Sequence, residues 1–279
     1  MSDPILIVAA LNGLRSRLEC PNVPYSSDEI AAEAKRAVDA GAGIVHLHAR
    51  KDDGSPAFDL VYDEIVQYIR MAVGDDVPIS VSTQRVRQTS LGTITALFDV
   101  LRDPPDLASV NVRPVQAELP AHREEARQIL ESLERAGVSP EPSVFGVDGL
   151  GDLEVLYNDS LLQRTPYLYV KLGASQGNGG GLAPGTPKNM LRLVEATQEQ
   201  FSQFPVVLAA DDEASPIAVA IGAAAGVHVR VGFEDAATMP DGRVATSNAQ
   251  LVELAVKVAE SVGRTVMSPK DARALVKRG

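Results

Sequence analysis

The chain has 279 residues, 45% hydrophobic but only 4% aromatic, and a formal net charge of −11. That apolar share excludes a disordered chain, and an acidic balance without any Lys/Arg-rich run excludes a nucleic-acid binder. A single cysteine, Cys20, excludes an intramolecular disulfide and a cysteine zinc site.

In chain order, β-branched apolar runs at 5–11, 44–48, 79–82, 107–112, 143–147, 167–172, 206–209 and 227–231 predict eight strands. Amphipathic stretches such as Ser27–Ala40, Asp59–Val73 and Pro187–Phe201 predict helices between them. Ser27 with Glu29 and Ile30 reads as a helix start, and Gly41 and Gly43 as its stop. Ser268-Pro269-Lys270-Asp271 opens a short terminal helix, with a cap followed by proline at the first helical position. Eight strand–helix units predict a (β/α)8 TIM barrel: one domain over residues 1–279, with a short C-terminal helix. A composition rich in small residues and poor in aromatics suits parallel strands buried on both faces. A doubly wound open sheet is the alternative. Its Gly-rich first turn is missing, because the first strand runs into Leu11-Asn12-Gly13-Leu14-Arg15. The glycine-rich run at 173–181 lacks the Lys-Ser/Thr ending of a phosphate loop and reads as a loop at the C-terminal face. The N-terminus has an acidic start and too short an apolar run for a signal peptide. No stretch approaches the ~18 apolar residues of a membrane helix, so no membrane association and a cytoplasmic location are expected.

The chemistry concentrates in Ala42-Gly43-Ile44-Val45-His46-Leu47-His48-Ala49-Arg50. Alternation along a strand puts His46, His48 and Arg50 on one face. Two imidazoles at i and i+2, at the C-terminal end of a barrel strand, predict a shared metal ion. A third ligand is expected from Gly226–Asp235, where His228, Arg230 and Gly232 share a face and Glu234 continues it. Strand eight adjoins strand one and lies two strands from strand two, so Glu234 is within reach of the histidines. Arg230, a cation facing into the barrel, needs a carboxylate, and Asp235 is the nearest.

The segments VHLHARKDDGSPAFD and HVRVGFED, with SNAQLVELA after them, resemble the beta-keto acid cleavage enzymes from Ala9 to about Ala272. The resemblance implies a homo-oligomeric (dimer or tetramer) barrel with one zinc per subunit, held by His46, His48 and Glu234. It implies a reaction of a β-keto acid with acetyl-CoA that yields acetoacetate and a new acyl-CoA. By position, Asp235 corresponds to the general base, Arg230 to the arginine that sets its charge, and Ser82 to a substrate-contacting serine. Three departures stand out. Where the amino-keto acid enzyme of the family has a glutamate for the substrate ammonium, this chain has Arg15, with Arg17 two residues on. An anionic or polar substrate tail is therefore expected. Asn111-Val112-Arg113-Pro114 replaces a Gly-Ser-Asn pattern, which makes Asn111 and Arg113 substrate-binding candidates. Ala210-Asp211-Asp212-Glu213 replaces a Gly-Arg segment and leaves the acyl acceptor open. The alternatives are a metal-dependent aldolase or lyase that works without CoA, and a non-catalytic metal-binding barrel.

Overall fold

The computed structural model describes residues 3–84, 89–112, 122–173 and 183–277, apart from the side chains of 122 and 123. Eight strands run β1 (Ile7–Ala10), β2 (Ile44–Leu47), β3 (Ile79–Ser82), β4 (Leu107–Asn111), β5 (Ser139–Val144), β6 (Leu168–Leu172), β7 (Val206–Ala210) and β8 (His228–Val231). They form a closed barrel in sequence order, and β8 pairs in parallel with β1 to complete it. The helices that follow them are α1 (Ser27–Asp39), α2 (Val61–Val73), α3 (Leu91–Val100), α4 (His122–Ala136), α5 (Leu150–Asn158), α6 (Pro187–Gln200), α7 (Ser215–Ala224) and α8 (Asn248–Ser261). The chain is a (β/α)8 barrel.

Outward strand residues such as Ile7, Val45, Val81 and Val229 join the helices in the larger core. The inner layer is smaller: Leu6, Val8, Ile44, Leu107, Val207 and Ala209 pack with Tyr167 and Tyr169. A ninth helix, α9 (Pro269–Val276), capped by Ser268 as its sequence predicts, adds Ala272 and Val276 to that layer and closes the N-terminal end. The opposite end carries the polar residues. No helix among the described residues is long and apolar enough to cross a membrane.

Helix α1 starts at Ser27 as its sequence predicts, and the residue before it, Ser26, makes a reciprocal capping box with Glu29. One local expectation is corrected. Strand five starts at Ser139, four residues before the expected position, because Pro140 and Pro142 masked it as a strand. Ser139 donates its amide to the Asp106 carbonyl, and Val112 donates to the Ser143 carbonyl. In a parallel strand the hydrogen-bonding sides alternate, so both prolines turn their missing N–H toward β6. Pairing there is correspondingly short, with only Ser143 and Val144 in register.

Candidate metal centre and active site

His46 and His48 leave the end of β2 on its inner face, as alternation requires, with ring centroids 5.7 Å apart. Glu234 reaches them from the turn after β8. Its Oε2 lies 3.5 Å from His46 Nε2 and 3.4 Å from His48 Nε2. Two glycines allow this approach. A Cβ on Gly232, whose φ is +141°, would sit 2.2 Å from the Ala10 carbonyl oxygen. One on Gly13, with φ +56°, would sit 2.5 Å from Glu234 Cγ. Asparagines pin the backbone on both sides. Asn12 accepts from the His48 amide and donates to the His48 carbonyl, both at 2.9 Å. Asn248 accepts from the Phe233 amide and donates to the Leu11 carbonyl.

The protonation states suit a metal. Tyr167 and Ser80 both donate to Glu141 Oε2, at 2.7 and 3.1 Å. The single Ser80 proton being so used, its oxygen accepts from His46 Nδ1–H at 2.9 Å. His46 Nε2 is thereby left as a lone pair facing Glu234. Burial, above all, pulls the His46 pKa down to about 3, so the ring is neutral. For Glu234, burial pushes the carboxyl up, but Arg230, His48 and His46 outweigh it and hold it well below the usual range. Its Oε2 is nonetheless buried without a hydrogen-bond partner. A buried carboxylate oxygen with no hydrogen-bond partner, facing two imidazole nitrogens, fits a cation. Among the described residues, these three side chains are the group whose ligand atoms all lie within 4.8 Å of one another. They form a candidate metal site.

Beside it lies a charge network. Arg230 Nη2 is 2.5 Å from Glu234 Oε1 and 2.9 Å from Asp235 Oδ1, and its Nε is 3.0 Å from Asp235 Oδ2. The guanidinium also covers the Tyr169 ring at 4.6 Å. Asp235 is wholly buried; burial raises its pKa, but Arg230 and then Lys171 bring it below the ordinary value. Lys171, from β6, donates to Asp235 Oδ1 at 2.8 Å.

The remaining candidates scatter. Arg15 stands at the rim, donating to the Glu234 and Asp235 carbonyls, but its charge is taken by Asp212 at 2.5 Å. Arg17 is not beside it: it pairs with Glu29 at 2.6 Å and lies over the Tyr25 ring. Its guanidinium is thus turned toward α1. Ser82 is buried at the end of β3, where its Oγ accepts from the Gln84 amide at 3.1 Å. Asn111 ends β4 on the strand face of Leu107, an inner-layer residue, while Arg113 and residues 174–181 of the glycine-rich run lie outside the described residues. Four contributors escaped the sequence reading: Lys171, Glu141, Asn12 and Asn248.

A (β/α)8 barrel with two histidines, a glutamate and a buried Asp–Arg pair at its C-terminal end defines the general class of protein. The model of the beta-keto acid cleavage enzyme family matches residues 4–277, and the chain belongs to that family. It is 31% identical to a 3-keto-5-aminohexanoate cleavage enzyme of Acetoanaerobium sticklandii, over 98% of both chains. It is 27% identical to a 3-dehydrocarnitine:acetyl-CoA trimethylamine transferase of Rhizobium meliloti, over 99% of this chain and 97% of that one. Among solved structures, a binary complex of ObcA with oxaloacetate superposes with a TM-score of 0.74 at 20% identity. The match covers 92% of this chain and 67% of ObcA, and bears on the fold. The chain is an acyltransferase-type enzyme that cleaves carbon–carbon bonds.

Proposed function

We propose that this enzyme is zinc-dependent and converts a β-keto acid and acetyl-CoA into acetoacetate and a new acyl-CoA. The observation that carries the reading is adjacency: Glu234, in the candidate metal site, and Asp235, an anion held by Arg230, are consecutive residues at one strand end. Two imidazoles and one carboxylate suit zinc better than magnesium, and three protein ligands leave room for substrate oxygen. One zinc per subunit of a homo-oligomer, in a cytoplasmic single-domain barrel, completes the reading. When bound, the metal supplies Lewis acidity to the substrate's oxygens.

The chain's own residues supply the rest. Asp235 takes a proton from C2 of the keto acid, and Arg230 keeps it ionised and in place. C2 then bonds to the acetyl carbon and the CoA thiolate leaves. That thiolate attacks the distal carbonyl, the bond from C2 to that carbon breaks, and Asp235 returns the proton to C2 of acetoacetate. Asp235 is fully buried, which keeps bulk water from its carboxylate. Ser82 and Asn111, at neighbouring strand ends, are the proposed polar contacts to substrate, and Arg15 is the contact to its tail. Incubating zinc-loaded protein with acetyl-CoA and a panel of β-keto acids tests the reading. Acetoacetate and acyl-CoA should appear together, and only with acetyl-CoA present. Cleavage without acetyl-CoA would instead identify an aldolase.

A further inference from the structure

Lys171 projects from the inner face of β6 and is buried, with its Nζ 2.8 Å from Asp235 Oδ1 and 2.8 Å from Asp211 Oδ1. Lysine rarely lies so deep unless paired. Asp211, just past the end of β7, is buried too, and neither of its carboxylate oxygens has a hydrogen-bond partner. Its contact with Lys171 is an ion pair as short as the hydrogen bond between Lys171 and Asp235. Asp211, Lys171, Asp235, Arg230 and Glu234 form a row of alternating charge that ends at the metal site.

Within that row the two oxygens of Asp235 differ. Oδ1 accepts from Lys171 at 2.8 Å and from Arg230 Nη2 at 2.9 Å, which fills both of its in-plane lone pairs. Among the described residues, Oδ2 accepts only from Arg230 Nε, at 3.0 Å, and keeps a lone pair. We propose that Lys171 is a positioning residue: by occupying Oδ1 it fixes the plane of the Asp235 carboxylate and makes Oδ2 the oxygen that exchanges the C2 proton. Asp211 holds Lys171 in line from the far side. This assignment rests on the function proposed above, in which Asp235 is the base. It is specific to a chain with Asp211 after strand seven, since a lysine with one partner would be free to swing.

The test uses zinc-loaded full-length protein with saturating acetoacetate in D2O, following enzyme-dependent deuterium exchange at C2 by NMR. Lys171→Met should slow exchange by roughly 10- to 100-fold, the scale for a lost outer-shell partner, with zinc content unchanged. Lys171→Met/Asp211→Asn removes the carboxylate that the first change leaves unbalanced. A positioning role requires the double variant to remain slow; recovery to the wild-type rate would overturn the proposal, because Lys171 would then only balance Asp211. If the wild type itself exchanges nothing, the proposed function fails. Crystal structures of the zinc-loaded wild type and double variant then decide the assignment separately. An Asp235 carboxylate turned out of its Arg230 plane upholds it, and an unmoved carboxylate overturns it.

Discussion

His46 is made ready for a metal by what happens at its other nitrogen. The chain from Glu141 through Ser80 fixes the proton on Nδ1, and burial keeps the ring neutral, so Nε2 presents a lone pair without a pH switch. Replacing His46 and His48 together by Ala should abolish zinc binding, read as elemental zinc per subunit after dialysis. Full occupancy in that variant would place the metal elsewhere. Asp235 is a separate matter, since it touches Arg230 and Lys171 and is not within the ligand group. Asp235→Asn should therefore keep zinc but lower turnover by ~10²-fold or more, the scale of a positioned base. The amide also turns an N–H toward cations that were bonded to an anion, so part of that loss reflects misplacement of Arg230. Turnover near the wild-type value would remove Asp235 from the mechanism.

At the level of elements, β8 has two ends with opposite chemistry. Its C-terminal end carries Arg230 toward the site. Its N-terminal end carries His228, whose Nδ1 accepts from the Leu6 amide at 3.1 Å. Burial, and then Arg264, lower the His228 pKa from 6.5 to about 4. The unfolded chain therefore binds more protons than the native one between those values. The stability this ring contributes is complete above pH 6.5 and is lost as pH falls through 4. Denaturant titrations should show the wild type's lead over His228→Gln shrinking across that window, and a constant lead would reject the linkage. The same strand logic explains what the sequence made legible. His46, His48, Arg230 and Glu234 share strand faces at a spacing of two, and inward charges are conspicuous in an apolar pattern. Lys171 obeys that rule beside Tyr167 and Tyr169, so the signal was present. Glu141 was hidden because Pro140 and Pro142 argue against a strand unless their edge-like side is known. Asn12 and Asn248 were not readable at all, because their bonds to His48 and Leu11 span 36 and 237 residues.

For the whole molecule, the site must be set against a net charge of −11 and against segments that meet only in the fold. Arg15 looks in sequence like a free cation waiting for an anionic tail. In the barrel the loop after β7 brings Asp212 to it, and the side chains of the pair are 16% and 37% exposed. An anionic tail must therefore draw Arg15 away from Asp212, against the global field, whereas a cationic tail meets an arginine that is already neutralised. The selectivity of the wild type should thus be modest but still favour a β-keto dicarboxylic acid over 3-keto-5-aminohexanoate, because Arg15 is the more deeply placed partner. Asp212→Asn should free Arg15 and raise that preference by roughly tenfold, the value of one hydrogen bond to a charged group. Arg15→Glu should reverse it, acting chiefly on KM, since Arg15 touches only backbone carbonyls of the catalytic segment. Arg17, paired with Glu29, should leave the ratio of kcat/KM values unchanged when replaced by Ala, and so serves as the control. Equal ratios in the wild type, Asp212→Asn and Arg15→Glu would show that the tail is read by residues other than this pair.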